Sequence, residues 1–96
     1  MKILALIDVA PGAPIETIRL EIVNELKRSW ELFASGLLRE AYATALPRRV
    51  VFVLEADDTG QAHAQLHKLP LVAAGLLTVE LVELRPFVNW AILFAS

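Results

Sequence analysis

Residues Leu66 to Arg85, LHKLPLVAAGLLTVELVELR, decide how this chain folds. They read as the last turn of a helix, a stop at Pro70, a short apolar bridge through Gly75, and a strand from Leu76 to Arg85. That strand is apolar on both alternating sets: Leu77, Val79 and Leu81 on one, Leu76, Val82 and Leu84 on the other. A strand with one wet face alternates apolar with polar, whereas one covered on both faces does not. The chain's own helices can cover one face. A second copy of the chain is the expected cover for the other.

Composition leads to the same expectation. Ninety-six residues make one domain, which buries only roughly 60–65% of its unfolded surface. Yet 56% of the residues are hydrophobic and mean hydropathy is +0.54. The longest charge-free runs, Leu69 to Val79 and Pro86 to Ser96, fall short of the ~20 residues of a spanning helix. The opening MKILALID is too short and too soon acidic for a signal peptide. Oligomerisation therefore accounts for the hydropathy better than a membrane does. The lack of cysteine removes disulfides and thiolate chemistry and suits a cytoplasmic protein. A net charge of −2 with mixed signs leaves no basic footprint for nucleic acid.

Upstream, Lys2 to Asp8 is strand-like, and Pro11, Gly12 and Pro14 break it. From Ile15 the period becomes helical: Ile15, Ile18, Ile22, Leu26, Trp30 and Phe33 form an apolar stripe, and Gly36 ends the helix. Leu38 to Thr44 and Arg49 to Ala56 read as a hairpin turning at Leu46-Pro47-Arg48. Asp58 or Thr59 caps a second helix over Gln61 to Leu69, with Ala62, Leu66 and Leu69 inward. Strand, helix, strand, strand, helix, strand gives a ferredoxin-like α+β fold. It has a four-stranded antiparallel sheet with both helices on one face. Two such sheets packed face to face make a dimeric α+β barrel. Residues 1–86 are expected to form this domain, and 87–96 a hydrophobic arm lying on a partner subunit.

Several side chains are candidates for chemistry. Glu25 sits at the border of the first helix's stripe. There it either points into the helix–sheet cleft, where desolvation raises its pKa, or is an ordinary solvated glutamate. Arg19 falls within the stripe and must be paired or reach water. Glu40 and Tyr42 share a strand face, with Arg39 on the opposite one; they line a cavity or are structural. Glu80 is a mid-strand carboxylate that is buried, lies at an edge or pairs across the dimer. His63 and His67 share a helix face without an evident third ligand, so a solvated face is expected and no metal. Phe87, Trp90 and Phe94 have helical spacing, which fits a packing arm. No phosphate loop, zinc signature, nucleophile elbow or dinucleotide fingerprint occurs.

From Asn24 to Pro86, without a gap between Gly36 and Leu71, the chain resembles the muconolactone δ-isomerase family. The resemblance is carried by Gly36 followed by Arg39, and by His63, Leu66 and Leu69-Pro70-Leu71. It implies a small oligomeric isomerase, without cofactor, that shifts a double bond in an unsaturated, carboxylated lactone by moving a proton. In that reading Glu25 is the base, Tyr42 a donor, and Arg39 or Arg19 the partner of the substrate carboxylate, with Glu40 beside them. The chain departs from the family at Leu46-Pro47-Arg48, at Glu40 and in its hydrophobic tail. The alternative is a non-catalytic small-molecule-binding or assembly protein of the same superfamily. An oxygenase-like or haem-handling relative is a third class, which visible absorbance would reveal.

Overall fold

The computed structural model describes residues 1–95. Ser96, the last residue of the expected arm, lies outside the described residues. The elements are β1 (Lys2–Val9), α1 (Ile15–Ser35), β2 (Leu38–Ala43), β3 (Val50–Glu55), α2 (Thr59–Leu66), α3 (Pro70–Ala73) and β4 (Leu77–Leu84). A 3₁₀ segment, Asn89–Phe94, closes the chain.

Local chemistry sets these boundaries. Pro14 holds the extended conformation from which α1 starts, and Gly36 ends that helix at φ 89°, in the left-handed region open to glycine. The Asp58 carboxylate accepts the Gln61 N–H at 2.7 Å and caps α2. The bridge expected between Pro70 and Gly75 is instead a further helical turn, α3, with Pro70 at its first position. Proline suits that place because the N–H it lacks would have no partner inside the helix. This turn also trims β4: the Leu76 N–H bonds the Leu71 carbonyl, and Leu76 accepts the Ala10 N–H.

The sheet order is β2-β3-β1-β4, antiparallel throughout. Alternation along β1 sends Ile3, Ala5 and Ile7 to the helix side, where they meet Leu54 and Phe52 of β3 and pack with Leu66, Leu69 and Val72. The opposite face carries Leu4, Leu6 and Asp8 of β1, with Val51, Val53, Glu80 and Val82 at paired positions. No helix among the described residues covers that face. The chain is α+β and ferredoxin-like.

Helix α1 differs from its expected orientation. The side that meets the body of the protein runs through Glu25 and Leu32, its two buried residues. The apolar stripe of Ile15, Ile22, Leu26 and Phe33 is turned by roughly 80° around the axis, at ~100° per residue. It therefore overhangs the sheet instead of packing on it, and Leu26 is 58% exposed. Physically, α1 is tethered along one edge by α3 and by β2, and the space under its apolar side stays open.

Candidate functional site

That open space is a cleft of about 600 Å³ between α1 and the sheet. Ile7, Val50, Phe52 and Leu77 come from the strands, while Leu26 and Trp30 overhang from α1. Among the described residues Glu25 is the only ionisable one bordering the cleft, and the Ser29 hydroxyl and the Trp30 indole N–H are its other polar side-chain groups. The Ser29 hydroxyl donates back to the Leu26 carbonyl at 2.8 Å.

Glu25 is 7% exposed. Its Oε1 accepts the Leu71 N–H at 2.8 Å. That N–H belongs to the first turn of α3, where backbone donors have no intrahelical acceptor, so one bond both satisfies it and ties α1 to α3. Oε2 has no protein donor among the described residues. It is not sealed away either, because no buried side-chain oxygen among them lacks a partner. One carboxylate oxygen is thus tied down and the other keeps some accessible surface, on a residue that borders the cleft. Burial pushes the Glu25 pKa up from the usual 4.5, and the Leu71 hydrogen bond offsets part of that rise. A carboxyl so placed holds a proton more readily than a solvated one and gives or takes it at a fixed position.

The other anticipated site residues are not brought to this cleft. Tyr42 and Glu40 share a face, as expected, but it is the uncovered one: Tyr42 pairs with Val51 and Glu40 with Val53. The Tyr42 hydroxyl donates to Glu40 Oε1 at 2.7 Å, and this bond raises the tyrosine pKa. The sheet itself separates them from Glu25. Arg39 lies at the irregularity between Leu38 and Glu40, and its Nε donates to the Gly36 carbonyl. It borders a separate polar recess with Glu55, Asp57 and Gln61. Arg19 stands roughly 120° around the helix from Glu25 at ~100° per residue, exposed and 3.3 Å from Glu16. Glu25, Tyr42, Arg39, Arg19 and Glu40 are therefore not brought together in this chain. Glu80 is exposed on the edge strand β4.

His63 and His67 are exposed, with rings stacked at 3.9 Å. No group of three potential metal ligands occurs among the described residues. One feature escaped the sequence reading: Arg49 bonds both Asp8 oxygens at 2.8 Å on the uncovered sheet face. This bidentate pair holds the Asp8 carboxyl below its ordinary range. The available hint was an aspartate ending an otherwise apolar strand run, but its partner is 41 residues away.

No protein-family model matches the chain, and no curated protein does. Among solved structures the fold has a clear counterpart. It is the 5-chloro-2-hydroxyhydroquinone dehydrochlorinase TftG from Burkholderia phenoliruptrix, in complex with 2,5-dihydroxybenzoquinone. The likeness has a TM-score of 0.70 at 16% identity and covers 88% of this chain and 94% of that one. At that identity the two share a fold, which is the ferredoxin-like one described above. No helix among the described residues is long and apolar enough to cross a membrane.

Proposed function

We propose that this chain holds a small unsaturated ring compound in the cleft between α1 and the sheet. Glu25 then moves a proton on it, in an isomerase reaction of the muconolactone type. The observation that carries this reading is the Glu25 carboxylate, anchored through one oxygen, free at the other, and bordering an otherwise apolar cleft. Such a carboxylate can take a proton from the carbon beside a carbonyl and return it at the far end of the conjugated system. Desolvation raises its basicity for this task. The volume suits a single ring, and the ligand of the dehydrochlorinase, a dihydroxybenzoquinone, is of that size class.

The cleft also narrows the substrate. Its bordering residues include no cation, and both candidate arginines lie elsewhere. The uncharged ring fits inside, and a carboxylate on it would stay at the mouth. The Glu25–Leu71 bond favours a second reading, in which the carboxylate only fastens α1 and the cleft binds without reacting.

Both readings meet one experiment. The protein is incubated in D₂O with a panel of unsaturated butenolides and cyclic enediones, and loss of the α-proton is followed by ¹H NMR. Catalysis predicts exchange above the buffer rate and a fall of about 10²–10⁴-fold in Glu25→Gln. Unchanged exchange in Glu25→Gln would remove Glu25 from the reaction. Quenching of Trp30 emission without any exchange would support binding alone.

A further inference from the structure

The two histidines of the chain stand four residues apart, His63 within α2 and His67 as the residue that caps its end. Both are exposed, and neither borders the cleft under α1. The turn between them is helical throughout. His67 keeps φ −72° and ψ −3°, and its backbone N–H bonds the His63 carbonyl at 3.0 Å. Side chains at this spacing are neighbours on one helix face. Here the imidazole rings stack, with centroids 3.9 Å apart and planes inclined by 28°.

One contact sets the chemistry of the pair. His67 Nδ1 lies 2.9 Å from the same His63 carbonyl oxygen. A carbonyl oxygen only accepts, so Nδ1 is the nitrogen that carries hydrogen and donates. In the neutral ring the free lone pair is then on Nε2. Ligating histidines are oriented in this way, one nitrogen donating to a backbone carbonyl or carboxylate while the other takes the metal. His67 is thus pinned by its backbone, while the His63 ring makes no hydrogen bond among the described residues and is held only by the stack. Metal–nitrogen bonds of about 2.0–2.1 Å place two ligating nitrogens roughly 3 Å apart. Rings already in contact reach that spacing when His63 turns about its Cβ–Cγ bond, a broad torsion in histidine.

We propose that His63 and His67 chelate one divalent transition-metal ion through their Nε2 atoms, copper(II) more tightly than nickel(II) or zinc(II), with water in the remaining positions. The donor set selects the ion. Helix α2, TGQAHAQL, carries no acidic residue, so it lacks the oxygen ligands that calcium and magnesium require. Imidazole suits copper, nickel and zinc, and copper stands highest in the affinity order. No group of three potential ligands occurs among the described residues. A closed structural zinc site needs four, and this one is instead an open surface chelate. The ion ties the last turn of α2, a helix of eight residues, too short to be stable without outside contacts. The site is separate from the cleft and from the reaction proposed there.

Titration of the full chain with copper(II) sulfate in a non-coordinating buffer, followed by calorimetry and electron paramagnetic resonance, tests this. The reading is clean because the chain has two histidines and no cysteine. One copper per chain is expected, with hyperfine splitting from two nitrogens. His63→Gln and His67→Gln should each lower the affinity about 100-fold or more, the effect of losing a tethered second ligand. His67→Ala/Lys68→His keeps two imidazoles but sets them about 140° apart at ~100° per residue, and should bind as weakly as the single variants. Circular dichroism checks that each variant is folded. If His67→Gln disturbs α2 by losing the bond to the His63 carbonyl, His63→Gln, which leaves that bond in place, decides. Affinity within threefold of wild type in folded His63→Gln would assign the copper to the terminal amine or to carboxylates and overturn the proposal. Wild-type affinity in the respaced variant would overturn it too, as would half a copper per chain with four nitrogens, the mark of an ion shared by two copies. None of these readouts depends on turnover, so an inactive cleft and an absent metal site are separate results.

Discussion

Replacing Glu25 by Gln and by Leu separates what its hydrogen bond does from what its charge does. Oε1 accepts the N–H of Leu71, a residue only 1% exposed. Leucine removes the acceptor and leaves that donor buried and unpaired, a loss of about 1–3 kcal/mol. Glutamine keeps an amide oxygen in place and removes the ionisable group. The pKa of Glu25 is raised in the folded chain, so the folded state holds this proton more firmly than the unfolded state does. Its contribution to stability is complete below the usual 4.5 and declines as pH rises from there through the folded-state pKa. Glu25→Gln lacks this decline and should match or exceed the wild type at pH 8, the difference closing as pH falls toward 4.5. Glu25→Leu should sit below Glu25→Gln at both ends of that range, by about 4–8 °C in Tm for each kcal/mol in a domain of this size. Urea or thermal unfolding at one fixed protomer concentration measures both, since any self-association makes stability concentration-dependent. Equal stability of the Gln and Leu variants would refute the α1–α3 tether.

Three further outcomes follow from other parts of the fold. Gly36→Ala should cost about 1–2 kcal/mol in the same unfolding assay, purely from φ 89°, because a Cβ there meets nothing within 4 Å; a neutral result would contradict the left-handed end of α1. Hydrogen bonding to Arg49 lowers the Asp8 pKa, so its stabilisation is present above the usual 3.8 and lost as pH falls through the lower folded value. Asp8→Asn should therefore flatten the acid limb of the stability–pH curve, and an unchanged limb would show that the pair does not matter. Tyr42→Phe should leave any Glu25-dependent proton exchange within about twofold of wild type, a change under ~0.5 kcal/mol. A loss of tenfold or more would place Tyr42 in the reaction despite the intervening sheet.

Much of the architecture is legible in local pattern. The extent of α1 follows from the change of period at Ile15 and the glycine at position 36, and the strand order from two crossovers around a hairpin. What escapes is the choice of face. A stripe such as Ile22, Leu26 and Phe33 shows which side of a helix is apolar. It does not show whether the same chain covers that side, and here Glu25 and Leu32 make the packed edge instead. Alternation likewise joins Glu40 with Tyr42, but only the long-range register of β2 on β3 puts them across the sheet from Glu25. The Asp8–Arg49 pair depends on register in the same way. Glu25 itself could be singled out because a carboxylate beside an apolar helical stripe is costly unless it has a partner. That partner, a backbone N–H of a helical turn hidden behind Pro70, was not legible.

The central claim is that Glu25 presents a desolvated carboxyl group to an apolar cleft, and its titration tests this most directly. Side-chain ¹³C NMR of glutamate-labelled protein, assigned through Glu25→Gln, gives the pKa of this one group. The account predicts a midpoint above the usual glutamate value of 4.5, absent from the Gln variant. A midpoint at or below 4.5 would mean that the carboxylate is well solvated or fully satisfied by Leu71, and it would contradict a proton-transfer role for the cleft.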